Sequence, residues 1–267
     1  MLSAADPSQI RQGSLTVVGA GIRPGLHTTQ EARARIEHAD KVLYLLAEQA
    51  PTSWIEQLNP TAESLRPLYR PGVEHGAVYE GLVTSMLTPV RRQQDVCMVT
   101  YGHPGVLDQT GREAVSRARS EGFRARMLPG ISALDCLFVD LQVDPGSDGL
   151  QSFDATRFLV FGKVPDTSVP LVLWQISVIG NTRTGGTVNR PGLGILAERL
   201  SGIYGSDHQV TVYEASPFPV GRPVIERCSV QALPEADVTG LSSLYVPPSS
   251  EPVSDDAMRA RLHDLGS

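Results

Sequence analysis

The hydrophobic pattern of the chain opens with a short apolar run, Leu15-Thr-Val-Val18, of the length of a buried strand. It runs into the glycine-rich stretch GAGIRPG, Gly19 to Gly25, and then the polar TTQE, where Thr28 and Glu31 stand at capping-box spacing. That pattern predicts a helix to about Ala39, followed by a second apolar strand over Lys41–Leu46. Strand, glycine loop, helix and strand together predict a βαβ unit with a parallel sheet.

The pattern then breaks. Residues 47–78 are proline-rich and without clear period, and predict an irregular segment containing LRPLYRPGVEHGAVY. Tyr79, Val83, Met86 and Val90 recur at helical spacing, with Pro89 expected to kink or end that helix. Val96–Thr100 predicts a buried strand and leads into TYGHPGVLDQTG, then a helix from about Thr110 to Glu121. Phe123–Met127 predicts another strand, and LPGISALDCLFVDL a turn and a helix. Downstream, apolar runs at Phe158–Phe161, Val169–Ile176, Gln209–Tyr213 and Ser243–Val246, with a helix near Leu193–Leu200, predict a second, mixed sheet. The organisation expected is a loose leader over 1–12, an α/β lobe over 13–142, a Gly, Asp and Ser-rich linker over 143–155, a second α/β lobe over 156–248, and a polar tail over 249–267 with a short amphipathic piece near Ala257–Leu265.

Three turns that follow predicted strands carry glycine: GAGIRPG, YGHPGV and LPGISA. One account is that they are ordinary strand-to-helix turns. The other is that the backbone must approach a ligand, since glycine removes the Cβ that would block it. In an open parallel sheet such turns gather at the carboxyl edge of the strands, where ligands bind, and three of them favour a bound small molecule. The spacing excludes two phosphate cradles. GAGIRPG places its third glycine seventh rather than sixth, against the dinucleotide fingerprint, and no Walker A lysine and hydroxyl follow.

Composition narrows the class further. The chain has 267 residues, 41% hydrophobic and 19% charged, with a net charge of −6, and one short basic cluster stands out, Arg91-Arg92. That balance disfavours nucleic acid, whose affinity rests largely on Lys and Arg neutralising phosphates. Cys97, Cys136 and Cys228 lie far apart without a CxxC pair, and the six histidines show no HExxH or HxxxH spacing, so neither a disulfide framework nor a metal site is expected. No apolar stretch approaches the roughly 18 residues that span a bilayer, and the first residues lack a secretory pattern, which makes the expected location cytoplasmic and a membrane partner unexpected.

GAGIRPG, YGHPGV and PGISA in this order resemble the tetrapyrrole-methylase-like class of S-adenosylmethionine-dependent methyltransferases. The resemblance implies a two-lobed α/β fold with the methyl donor in the interlobe cleft. IEHADKVLYLL, PGISALDCLFVDLQVDPGSDGLQSFDA, VLWQISVIG, VYEASPFP and SLYVPP are similar to the borosin peptide backbone α-N-methyltransferases, and most of all to the bacterial split kind, which acts on a separate precursor peptide. That resemblance implies a donor pocket lined by Tyr101, Gly102, His103, Gly105 and Val106, with Ser132 and Ala133, and with Trp174, Gln175 and Ile176 of the second lobe. For Trp174 and Ile176 plain core packing is the competing account. It implies S-adenosylmethionine as donor, S-adenosylhomocysteine as product, and a homodimer, or a heterotetramer with two precursor chains. The tail SSEPVSDDAMRARLHDLGS lacks a run of small apolar residues, so the precursor peptide is expected in trans.

Backbone N-methylation is demanding because the amide lone pair is delocalised into the carbonyl. Positioning can be worth about 7–11 kcal/mol and a general base typically about 10²–10⁴-fold. The resemblance assigns this work to tyrosines and an arginine: Tyr69 and Tyr79 match the tyrosines, while His75 stands where the family has its arginine. Either His75, titratable near neutrality, takes that role, or Arg70 beside Tyr69 does, or activity is weakened. Two rivals to peptide methylation remain at this point: a tetrapyrrole or rRNA methyltransferase of the same fold, and a pseudoenzyme that binds donor and peptide without turnover.

Overall fold

A computed structural model describes residues 12–47, 50–185 and 187–266, and the expected leader over 1–12 lies outside them except for Gln12. The described residues form two compact units. The first holds those of 12–142 together with 181–185 and 215–223, and the second holds 143–180, 187–214 and 224–266. The chain therefore returns twice to its first unit, which no compositional boundary announced.

The first unit is built in chain order from β1 (Ser14–Gly19), α1 (Gln30–His38), β2 (Lys41–Leu45), α2 (Ser53–Leu58), β3 (Glu63–Ser64), α3 (His75–Arg91), β4 (Asp95–Thr100), α4 (Gln109–Ser120), β5 (Arg124–Met127) and α5 (Ala133–Leu141). Its five strands lie in the order β3-β2-β4-β1-β5, and every pairing is parallel. Because side chains alternate along a strand, the sheet has two apolar faces. Leu15, Val17, Leu43, Val96 and Met98 pack with Val78, Leu82, Met86 and Val90 of α3 and with Ala114 and Ala118 of α4. Val18, Val42, Tyr44, Cys97 and Val99 pack with Ala32 and Ile36 of α1 and Ile55 of α2. The result is a helix–sheet–helix sandwich. Each fully buried Leu or Met on these faces contributes roughly 1.5–3 kcal/mol.

Several local expectations change. The cap of α1 is Thr29, whose side chain accepts the Ala32 N–H, one residue later than the predicted Thr28. Thr28 instead ties the glycine loop together, donating to Ala20 O and accepting from Gly25 N–H. The segment expected to be irregular contains α2, the short β3, a 3-10 turn over Arg66–Leu68 and the start of α3. Pro89 is accommodated because it lies in the last turn of α3, which ends at Arg91.

The second unit contains α6 (Pro145–Asp148), β6 (Gln151–Asp154), α7 (Ala155–Val160), β7 (Leu171–Trp174), α8 (Arg190–Tyr204), β8 (Gln209–Glu214), β9 (Val224–Ser229), β10 (Ser243–Val246) and α9 (Asp256–Gly266). Its sheet is mixed, in the order β6-β7-β10-β8-β9, with β6 and β7 parallel and the other pairs antiparallel. Leu171, Leu173, Leu196, Leu200, Val212 and Leu244 are fully buried in its core. The supposed linker thus supplies an edge strand, and the run Phe158–Phe161 belongs largely to helix α7, where Phe158 is buried and Val160 exposed. A continuous apolar run of four residues does not separate helix from strand.

Candidate functional site

The strand order locates a crevice before any side chain is considered. From β1 the chain leaves across one face of the sheet into α1, and from β4 across the other face into α4. Adjacent strands whose connections diverge in this way open a ligand-binding crevice at their carboxyl ends. The two turns at that edge are GAGIRPG and YGHPGV.

They are bound to each other. Gly21 N donates to Gly102 O at 3.2 Å and Gly102 N to Gly21 O at 3.1 Å. A Cβ on Gly19 would lie 2.2 Å from Gly102 O, and one on Gly130, in the third glycine turn, 2.9 Å from the same oxygen. Gly19 and Gly130 are therefore glycines because three backbone turns crowd together. Gly102 is one because its φ is +69°; on its Cβ side the nearest atom is 3.7 Å away. The three turns singled out in the sequence do converge, but the close approach that demands glycine is between the turns themselves, which favours the first of the two accounts above.

The remaining residues of this rim have distinct surroundings. Tyr101 is half-buried, and its N–H donates to Leu45 O at the end of β2. His103 Nδ1 accepts the Gly105 N–H at 2.8 Å, which leaves Nε2 as the protonated nitrogen of the neutral ring. Gly105 and Val106 are exposed, and so are the neighbouring Leu107 and Ile131. Ser132 is buried and committed: its hydroxyl accepts from Leu134 and Asp135 N–H and donates to Asp135 Oδ2, closing a capping box on α5. Ala133 is the first residue of that helix. Gly102 itself is buried, and a Cβ on it would rest in ordinary contact with Ile22 and the Ile131 carbonyl.

Within the second unit, Trp174 closes β7 at 9% exposure and donates its indole N–H to the Ser152 hydroxyl at 2.6 Å. Gln175 is exposed with a φ of +57°. Ile176 is fully buried in the core cluster, so its side chain packs the core and only its backbone is available to a ligand.

The loops after β3 and β4 bring a polar cluster together in the first unit. Tyr79 stands one helical turn after His75 on α3, and their rings lie 5.8 Å apart, tilted by 45°. Tyr69 lies beside them. It is 36% exposed, yet its phenol is pushed up to about 12, first by desolvation, then by the neighbouring Tyr79 and Asp108, with Arg66 acting the other way. The cation acting on this phenol is thus Arg66. Arg70 is exposed, and among the described residues its guanidinium shows no hydrogen bond or ion pair. The Nδ1 of His75 is buried and unpaired.

Sequence reasoning missed what holds this segment. Residues 182–184 return to the first unit and pair with it: Gly72 N donates to Thr184 O at 2.9 Å, Thr184 N to Val73 O at 3.0 Å, and His75 N to Thr182 O at 3.0 Å. The buried Thr184 hydroxyl donates to Arg70 O, and Arg183 pairs with Glu74 at 2.7 Å. A polar NTRTGG stretch gave no periodic signal for so long-range a contact.

A cavity of about 830 Å³ lies at the opposite, amino-terminal edge of the same sheet. Arg35, Arg119, Arg124 and Arg126 line it, a basic group scattered in sequence and assembled by the fold. The strand ends there carry none of the tyrosine and glycine-turn chemistry of the carboxyl edge, so the presence of a cavity does not decide the site. Among the described residues no group of His, Cys, Asp and Glu gathers to hold a metal ion, and no helix is long and apolar enough to cross a membrane.

Comparison with known proteins agrees with this architecture. The model for tetrapyrrole (corrin/porphyrin) methylases matches residues 14–182, and the chain belongs to that family. The uroporphyrin-III C-methyltransferase of Thermus thermophilus superposes with a TM-score of 0.64 at 17% identity, covering 92% of this chain and 99% of that one. A cobalamin biosynthetic enzyme, cobalt precorrin-4 methyltransferase, gives 0.62 at 16%, covering 90% and 96%. Those likenesses are of fold. In sequence the chain is a homologue of the borosin methyltransferases. It is 37% identical over 262 residues to the methyltransferase/ribosomally synthesized gymnopeptide precursor of Gymnopus fusipes, covering 96% of this chain and 62% of that protein. It is 36% identical to the methyltransferase/type I borosin cyclic peptide precursor of Coprinopsis marcescibilis, covering 96% and 67%. It is also 36% identical to the methyltransferase/omphalotin A precursor of Omphalotus olearius, covering 97% and 63%. The chain thus spans a little under two thirds to two thirds of the length of these relatives.

Proposed function

We propose that this protein transfers methyl groups from S-adenosylmethionine to backbone amide nitrogens of a ribosomally made precursor peptide, and that it acts on the peptide as a separate chain. The observation that carries this reading is that Tyr69, after β3, clusters with His75 and Tyr79 at the start of α3, on the strand edge of the first sheet from which the three glycine turns emerge. The donor supplies an electrophilic methyl group on a sulfonium. Everything else falls to the chain. Gly102, Gly105 and Val106 offer the donor a backbone-floored rim, and Tyr101 and His103 stand beside it. Tyr69 presents a phenol that stays neutral at physiological pH, suited to gripping a peptide amide rather than carrying charge, and the Tyr79 ring packs against His75 beside it. His75 occupies the place of the family's arginine, and its buried, unpaired Nδ1 is available to a peptide group or to a proton. We read the assembly as a homodimer; exposed apolar side chains such as Val139 (77% exposed) on α5 and Val160 on α7 support it.

The test is to mix the purified chain with S-adenosylmethionine and a separately made precursor peptide carrying an apolar core. Mass spectrometry should show successive one-methylene gains, with fragmentation placing them on backbone nitrogens. Methylation only when the peptide is fused to the chain would remove the trans assignment. Donor and peptide binding without any mass gain would make the protein a pseudoenzyme.

A further inference from the structure

The cavity at the amino-terminal edge of the first sheet takes no part in the chemistry above. Its basic side chains converge from three elements: Arg35 in the last turn of α1, Arg119 in the last turn of α4, and Arg124 and Arg126 on β5. Side chains two apart on a strand share a face. Arg124 and Arg126 therefore lie on the side of α1, where Arg126 pairs with Glu31 at 3.3 Å, while Ala125 and Met127 pack on the side of α3 and α4. All four arginines are exposed. Arg119 donates to Ala125 O at 2.8 Å, and among the described residues Arg35 and Arg124 make no hydrogen bond or ion pair. The described lining holds one carboxylate, Asp95, which already accepts the Ser14 hydroxyl at 2.7 Å, and one imidazole, His38, whose Nδ1 is bonded to Ala34 O. Arginines on an edge strand commonly blunt it against pairing, and β5 is an edge of its sheet. That accounts for Arg124 and Arg126 but not for the two contributed by helices.

We propose that this cavity docks an acidic segment of the precursor peptide, holding the peptide at one edge of the sheet while its core is methylated at the other. The inference rests on the function proposed above, in which the peptide is a separate chain. Such a chain has no covalent tether. Binding at a second point raises its effective concentration at the crevice, to about the millimolar range for a short flexible connection. Guanidinium groups suit the task because their parallel N–H groups pair with both oxygens of a carboxylate. Ala39, Val96 and Phe123 add apolar lining for the methylene groups of acidic side chains. The two edges also set a spacing. β1 runs six residues between them, roughly 20 Å at about 3.3 Å per residue. An extended peptide needs at least about six residues to cover that distance, and about ten to pass round the sheet.

Two labelled synthetic peptides test this. Both carry the same apolar core and a spacer of about ten residues, and they differ in ending on a run of glutamates or of glutamines. Fluorescence anisotropy at low salt should show the glutamate peptide binding the parent, and binding about tenfold or more weakly to the double variant Arg35→Glu, Arg124→Glu. The double variant Arg35→Gln, Arg124→Gln should lose less, and its melting temperature and S-adenosylhomocysteine affinity should stay at parent values. In methylation assays both variants should raise KM for the glutamate peptide and leave kcat unchanged. Cutting the spacer to about three residues should slow methylation while binding is kept. Equal KM for the two peptides in the parent, or parent affinity in the folded charge-reversed variant, would overturn the docking and leave peptide methylation standing. Pyrophosphate that raises the melting temperature of the parent but not of the variant, without binding of the glutamate peptide, would make the cavity a small-anion site and overturn the peptide assignment. Methylation of neither peptide by the parent would overturn the function proposed above and this inference with it.

Discussion

At the scale of single residues the glycines of the crevice divide by cause, and the causes predict different outcomes. Gly102→Ala meets no protein atom closer than 3.7 Å but forces a side chain onto a φ of +69°, for which a cost of about 1–2 kcal/mol is expected. Gly19→Ala drives a methyl group to 2.2 Å from Gly102 O, a backbone atom that cannot step aside. The first variant should fold and bind S-adenosylhomocysteine more weakly; the second should lose binding altogether as the turns part. Calorimetry that ranks them the other way would refute this division. Tyr69 yields a pH prediction. Its phenol is raised from 10.0 to about 12 in the fold, so between those values the folded state holds a proton that the unfolded chain has lost. Stability is then unaffected below pH 10 and falls as pH rises through that window. Tyr204 is raised similarly by burial and shares the effect. Chemical denaturation from pH 9 to 12 should show a shallower loss in Tyr69→Phe than in the parent, and an identical slope would contradict the desolvated setting of this phenol.

At the scale of elements, the segment proposed to act on the peptide is tied down by the strand-like return of residues 182–184. Thr184 contributes a backbone donor, a backbone acceptor and a buried hydroxyl to the turn that carries Arg70 to Val73. Thr184→Val preserves shape and leaves those carbonyls without the hydroxyl, at a cost of roughly 1–3 kcal/mol. The expected consequence is a methylation rate reduced well beyond any change in donor affinity, because the segment serves the peptide and not the donor rim. Equal losses in both, measured by single-turnover kinetics and calorimetry, would show that the return segment supports the whole crevice.

At the scale of the whole molecule, a ligand that binds only the folded chain must stabilise it. At a hundredfold excess over its dissociation constant the gain is about 2.7 kcal/mol. For a chain of 267 residues that is a rise of several degrees in Tm. S-adenosylhomocysteine should produce this rise in the parent and in Tyr69→Phe but not in Gly19→Ala. A parent whose melting does not move at saturating ligand would exclude the donor site. The net charge of −6 also bears on partners at this scale. The fold gathers four arginines at the amino edge of the first sheet, so a mean charge spread over the chain was an incomplete description of its surface.

The sequence by itself determined the strands, because Leu15–Val18, Lys41–Leu46 and Val96–Thr100 are apolar on both faces and can only be central strands of a covered parallel sheet. It determined the glycine turns and their order, and the tyrosines that lie near them. It did not determine helix α2, the single-residue shift of the α1 cap to Thr29, or the conversion of the linker into edge strand β6, where local signals are weak and packing chooses. Only the tertiary structure decided that Gly19, Gly102 and Gly130 are needed for each other. Only it showed that the Nδ1 of His75 and the Oδ2 of Asp108 are buried without a hydrogen bond, and that Thr184 reaches back across more than a hundred residues to hold the turn from Arg70 to Val73. Contacts of that separation leave no trace in any local period, since nothing in a window of neighbours records which distant backbone will come to rest against it.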